Sequence, residues 1–284
     1  MDRGSKARLA PEIYPFQSSA AERRRLIAQD GLVAASTQRL FEAAGIAPGM
    51  RVLDIGSGAG DVALLAARLV GSRGSVLGID CDPAQVAFAA ERAATAGSSN
   101  VRFVAGDFRD LALESAVDAI VGRLVLMYAQ DPLDALRRVT RNLRSGGVIA
   151  LQESMVDYDG PALIEPADSL AAEVVEWFRA GFRHAGVHAR MGVRLFGLMR
   201  EAGLTPSTQI DMSVPIQQGP DGALFKILTA LVRSQMPAII ASGIATEAVI
   251  DIDTLEQRLI ADAPASGVVG YFHTGHVGVW ARKP

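Results

Sequence analysis

Cysteine is nearly missing from this chain, with one residue, Cys81, in 284. That excludes an intramolecular disulfide framework and any zinc site built from several thiolates, and it fits a reducing compartment. A basic field is missing too. The net charge is −3, and the Arg23-Arg24-Arg25 run reads as a solvated helix face, so nothing favours nucleic acid as a partner. The first residues are charged, and no apolar run of about 18 residues stands out, so neither a signal peptide nor a membrane span is expected. There is no internal repeat and no low-complexity tract. What remains is 49% hydrophobic and 21% charged, enough to bury a proper core. The expectation is a soluble cytoplasmic protein.

The chain is organised around Asp54-Ile55-Gly56-Ser57-Gly58-Ala59-Gly60-Asp61. Val52, Leu53 and Ile55 read as a short buried strand. After the glycines a helix starts, with Val62, Leu65, Ala66 and Leu69 on one face. Glycine has no Cβ, so this turn lets backbone approach a ligand closely, and the helix N–H groups beyond it are available to that ligand. A dinucleotide loop would space its glycines as Gly-x-Gly-x-x-Gly. Here the third glycine comes one residue early, and Asp54 and Asp61 bracket the loop. Two carboxylates repel a pyrophosphate and suit a cationic ligand. A plain structural turn in another α/β protein remains the competing reading of the loop alone.

Further strands are expected at 75–79, 101–105, 117–121 and 148–152, separated by helical stretches from Pro83 and from Pro132. Helix–strand alternation of this kind predicts a doubly wound, mostly parallel sheet, in which ligands bind beyond the carboxyl ends of the strands. Those ends carry Asp54, Asp80, Asp107, Arg123 and Glu153. An acid after the second strand can take both hydroxyls of a ribose. One after the third can accept from an exocyclic amine, with the Phe108 ring against the base.

The order of these motifs resembles the class I S-adenosylmethionine-dependent methyltransferases, most specifically over residues 48–153. The likeness is to the small-molecule enzymes of the ubiquinone/menaquinone-biosynthesis type. The resemblance implies a Rossmann-like seven-stranded sheet with its last strand antiparallel, and S-adenosylmethionine as cofactor. It implies a methionine-binding loop at Asp54, Gly56, Ser57, Gly58 and Gly60, with Ser57 where Cys is usual. Asp80, with Cys81 beside it, would be the ribose acid, and Asp107 and Phe108 the adenine segment. Tyr14 and Gln29 would reach the methionine carboxylate, or simply pack the first helix. Arg123 would touch the methionine portion or pair with an acid. The Asn-Pro-Pro-Tyr type of signature is absent.

Around the core (48–153), a helical lid is expected from residues 1–47, 154–200 and 220–266. The remaining strands of the sheet are expected within 201–219, at Ser207–Val214, and within 267–284. Residues 221–262 read as helical. The implied reaction is in-line methyl transfer to a small hydrophobic acceptor that is quinone-like, lipid-like or a natural product. A non-methylating reaction such as a cyclisation, and a cofactor-binding protein without turnover, stay open. Candidate bases are Glu153, His184, His188, His273 and His276. His184 and His188 stand at i, i+4, where they would share a helix face and could hold a metal, or only decorate a helix end at Gly186. No metal is expected. Tyr128 could orient an acceptor or simply pack. The apolar lid would also suit a homodimer interface.

Overall fold

A computed structural model describes residues 20–156, 164, 167–214, 216–218, 223–266, 269–271 and 275–284. In chain order the first half contains α1 (Ala20–Ala43), β1 (Arg51–Ile55), α2 (Asp61–Val70), β2 (Ser75–Asp80), α3 (Pro83–Thr95), β3 (Val101–Ala105), β4 (Val117–Arg123), α4 (Pro132–Val139) and β5 (Leu143–Met155). The second half contains α5 (Leu170–His184), α6 (Met191–Glu201), β6 (Thr205–Pro206), β7 (Asp211–Ser213), β8 (Ile216–Gln218) and α7 (Leu224–Ser242). It ends with α8 (Glu247–Ile250), α9 (Leu255–Ser266), β9 (Val269–Tyr271) and β10 (Gly275–Arg282).

The helix starts follow local chemistry. Asp82 accepts from the Ala84 N–H ahead of Pro83, and Asp131 accepts from Leu133 and Asp134 ahead of Pro132. Both are side-chain caps followed by a proline preset for the first turn. Ser169 caps α5 in the same way through Ala172.

The main sheet runs β3-β2-β1-β4-β5-β10-β6, with β7 also on β10. The strands from β3 to β5 are parallel, and β10 is antiparallel to β5 and to both short edge pieces. Apolar residues cover both faces, as a parallel sheet requires. Leu53, Ile55, Ile120 and Leu151 face one core. Val52, Val121 and Ala150 face the other, against Leu40 and Phe41 of α1. Register places Asp54 beside Gly78 and Val121, so the carboxyl ends of β1, β2 and β4 meet.

Several expectations need correction. The strand expected at Ser207–Val214 is split: β6 precedes it, β7 covers Asp211–Ser213, and both pair with β10. The helical stretch 221–262 is three helices, and β8 and β9 form an unforeseen second sheet. Arg25, expected in solvent with its neighbours, is buried against Glu22. The sequence does hold a helix long and apolar enough to cross a membrane, α7. Its Phe225, Leu228, Leu231 and Val232 are buried, and it packs along α5, as a core helix would.

Candidate cofactor and acceptor site

A cavity of about 320 Å³ opens over the carboxyl ends of the strands. Its floor holds Gly56, Ser57 and Gly58 after β1, Asp80 and Cys81 at β2, Asp107 and Phe108 after β3, and Arg123 to Val125 at β4. At the end of β5 come Ser154 and, just after it, Val156. The roof is Arg25, Leu26 and Gln29 of α1, Phe178 and Phe182 of α5, and Leu231 of α7.

The glycine loop explains its own composition. Gly56, Gly58 and Gly60 have φ of 59°, 48° and 88°, a left-handed region that residues with a Cβ rarely adopt. A Cβ on Gly56 would also lie 2.7 Å from Val125 Cγ2. Gly60 is the N-cap of α2 and does not line the cavity; Phe103 and Ala89 press on it instead.

Asp80 holds this loop in place. Its Oδ2 accepts from the Gly58 N–H at 2.7 Å and its Oδ1 from the Asp82 N–H at 2.9 Å. Burial raises its pKa, and these amides partly offset the rise. Asp54 is fully buried at the end of β1, outside the cavity lining. Burial raises its pKa strongly, while the Arg123 charge and the Ala63 amide pull the other way. Among the described residues neither of its oxygens has a partner at normal hydrogen-bond geometry. Burial alone would raise Asp107 as well, but its ion pair with Arg109 holds it below the ordinary carboxylate range. Arg123 binds Asp30 of α1 at 2.8 Å and the Thr37 hydroxyl at 3.1 Å, tying the roof to the floor. Gln29 accepts from Arg25.

Of the candidate bases, none of those described lines the cavity. Glu153 is buried behind it, accepting from the backbone N–H groups of Val125, Leu126 and Met127. His184 is exposed at the last residue of α5. His188 lies beyond that helix, with Nδ1 against Arg194 at 3.3 Å, so the two do not share a helix face. Among the described residues no group of acids, histidines or cysteine could hold a metal. His276 is buried in β10 beside Ser154 and Ser213. Tyr14 and His273 lie outside the described residues.

The sequence reading missed Arg25, Gln85 and Ser154. The Glu22, Arg25 and Gln29 spacing (i, i+3, i+7) was the available signal for the first.

Residues 46–189, just over half of the chain, match the model of the methyltransferase domain family. The chain belongs to this family. Over 111 residues it is 35% identical to the arsenite methyltransferase of Halobacterium salinarum, covering 39% of this chain and 28% of that one. Over 179 residues it is 28% identical to the ubiquinone/menaquinone biosynthesis C-methyltransferase of Azotobacter vinelandii, covering 62% and 67%. The chain thus spans between 28% and 67% of the length of these relatives. Among solved structures, the 4+2 cyclase SpnF superposes with a TM-score of 0.55 at 20% identity, over 95% of this chain and 86% of that one, a likeness of fold.

The cavity of this methyltransferase-family chain fits S-adenosylmethionine. Its buried Ser57 Oγ and Gln85 Oε1 have no partner among the described residues, and both residues line the space. An unsatisfied acid, Asp54, lies at the floor strand where a cationic group is wanted, and a buried polar atom without a partner is costly unless something meets it. Cys81 is exposed at the mouth, its thiol against Asp80. Saturating S-adenosylhomocysteine should therefore slow alkylation of Cys81 at least about tenfold, read by mass spectrometry. Equal rates with and without ligand would mean that the nucleoside does not lie along β2.

Proposed function

We propose that this protein transfers the methyl group of S-adenosylmethionine to a small, neutral, largely apolar acceptor. One observation carries the reading: a single cavity joins the glycine loop and Asp80 to an apolar wall of Leu26, Met127, Val156, Phe178, Phe182 and Leu231. When bound, the cofactor supplies a methyl already activated by its sulfonium. The chain's part is to bind, align and exclude water. Asp80 takes the ribose hydroxyls, Phe108 and the Asp107 segment take the adenine, and Arg123 and Gln29 serve the methionine carboxylate. Asp54 favours the ammonium from beneath the loop.

The acceptor's character follows from the charges around the wall. Arg25 is neutralised by two hydrogen bonds to Glu22, at 2.8 and 2.6 Å, so it offers no net charge for a phosphate. Burial raises the Tyr128 phenol above its ordinary value, so it remains a neutral donor. With Ser154 Oγ at the same cavity lacking a partner among the described residues, the polar groups suit one hydroxyl or carbonyl on an apolar body. Arsenite, a thiophile, would call on several thiolates, and this sequence has one cysteine. Quinol-like, lipid-like or natural-product acceptors remain. Glu153, His184, His188 and His276 do not line the cavity, and its carboxylates, Asp61, Asp80, Asp82 and Asp107, stand on the side of the glycine loop and β2, so an acceptor that needs little deprotonation, such as an electron-rich carbon or an amine, fits best. A single cysteine fits the cytoplasm as the place of action.

Calorimetry with S-adenosylmethionine and S-adenosylhomocysteine, then methyl-labelled cofactor with a panel of hydroquinones and apolar amines, tests this. Label in the extracted acceptor with matching S-adenosylhomocysteine is the expected result. Binding without label transfer to any acceptor would favour a cofactor-holding protein or a non-methylating reaction. No binding by the wild type at millimolar ligand would sink the reading.

A further inference from the structure

The cavity's two halves meet at the turn that follows β4, residues Leu124 to Tyr128. Leu124, Val125, Met127 and Tyr128 all line the space. This backbone is not at ease by itself. Leu124 has φ 57° without being glycine, a conformation that persists only where the surroundings impose it. Residues Leu126–Tyr128 then form one 3-10 turn with no side-chain cap of its own, which leaves its first N–H groups needing acceptors.

Those acceptors come from one side chain. Glu153 Oε1 accepts from Val125 N–H at 2.9 Å and Leu126 N–H at 2.7 Å, and Oε2 from Met127 N–H at 3.4 Å. The next link is the Leu124 N–H, donated to the Gln152 carbonyl at 2.9 Å. On one side the turn supports the cofactor loop, since the Val125 side chain fills the space where Gly56 has no Cβ. On the other it meets the lid, where Met127 O accepts from His188 N–H at 2.9 Å. Glu153 itself does not line the cavity, and among the described residues no cation contributes to its environment. A buried acid without a counter-charge is a costly way to fill space; three converging amides give it a purpose.

We infer that Glu153 is a positioning residue for methyl transfer, holding the turn between the cofactor loop and the acceptor wall in place from behind. This rests on the reading of the cavity given above. Glu153→Met keeps the volume and removes every acceptor. Glu153→Gln keeps Oε1 for Val125 and Leu126 and sets an NH2 group against the Met127 amide.

Amide hydrogen exchange of the ligand-free proteins, with S-adenosylhomocysteine affinity measured alongside, tests the inference. In Glu153→Met, exchange at Val125, Leu126 and Met127 should rise at least about tenfold with β1 and β2 unchanged, and affinity should fall about tenfold. Glu153→Gln should restore Val125 and Leu126 and bring affinity back to within about threefold, leaving only Met127 faster. If Glu153→Met does not fold, this pattern in Glu153→Gln decides the matter. A turn as protected in either variant as in the wild type, or exchange raised evenly across the whole sheet, overturns the inference. If the wild type binds no S-adenosylhomocysteine, the functional reading fails while the exchange result still judges the turn.

Discussion

Asp80→Ala should weaken S-adenosylhomocysteine binding roughly tenfold to hundredfold while the sheet stays folded. The carboxylate serves two purposes at once. It fixes the glycine loop through Gly58 N–H and the start of α3 through Asp82 N–H, and it lines the cavity. Hydrogen bonds to a charged group are each worth about 1.5–3 kcal/mol, which converts to that range of affinity. The stability loss should be smaller, since the alanine variant leaves those two amides near a cavity that water can reach. Asp80→Asn separates the two purposes. One amide oxygen still accepts from Gly58 or from Asp82, but its NH2 opposes the other N–H, so affinity should fall between wild type and Asp80→Ala. Calorimetry with a melting curve for each variant reads both quantities. An alanine variant that binds as tightly as wild type would remove Asp80 from the cofactor site, and with it the reading of β2 as the ribose strand.

The parts of this molecule that showed in the sequence are those where one local pattern has one structural solution. Val52, Leu53 and Ile55 form an apolar run because β1 is covered on both faces. The glycines after it are there because left-handed backbone and close contact with Val125 admit nothing larger. Sheet order and the gathering of Gly56, Asp80, Asp107 and Arg123 at one edge then follow from topology. Roles set by distant partners did not show. Arg25 looked like one of three solvated arginines until Glu22 and the roof position buried it. Glu153 looked like a base because it ends a strand; its orientation toward the turn after β4 depends on a pairing that sequence does not display. His184 and His188 had helical spacing, but α5 stops at His184. The α7 stretch has the length and hydropathy of a membrane helix, and burial against α5 distinguishes it only once α5 is placed.

Two buried groups of opposite sign should give this fold a pH profile that two substitutions can split. Burial pushes Glu153 up from 4.5 to about 7, its three amides only partly compensating, and Tyr128 is the titratable group facing it. A raised acid means the folded state holds the extra proton. Its stabilisation is therefore full below about pH 4.5 and lost as pH rises through about 7, roughly 3 kcal/mol in all. Burial, and then the charge of Arg123, push His276 down from 6.5 to about 3. Here the unfolded state holds the extra proton. Stability is full above about pH 6.5 and is lost as pH falls toward about 3, roughly 5 kcal/mol in all. Between about pH 4.5 and 6.5 the two slopes cancel. Asp54, raised by burial, tilts every curve as Glu153 does, so differences from wild type isolate the other two. His276→Gln should gain stability over wild type as pH falls from about 6.5 to 4.5, by roughly 3 kcal/mol. Glu153→Gln should lose a similar amount over the same interval, because the proton that stabilises the wild type there has no site. Urea unfolding of the three proteins at about pH 5 and about pH 8 gives the comparison. Curves that stay parallel would mean that water reaches these groups in the folded state, and then neither the neutral imidazole on β10 nor the amide-bound acid behind the cavity is as dry as its position in the sheet implies.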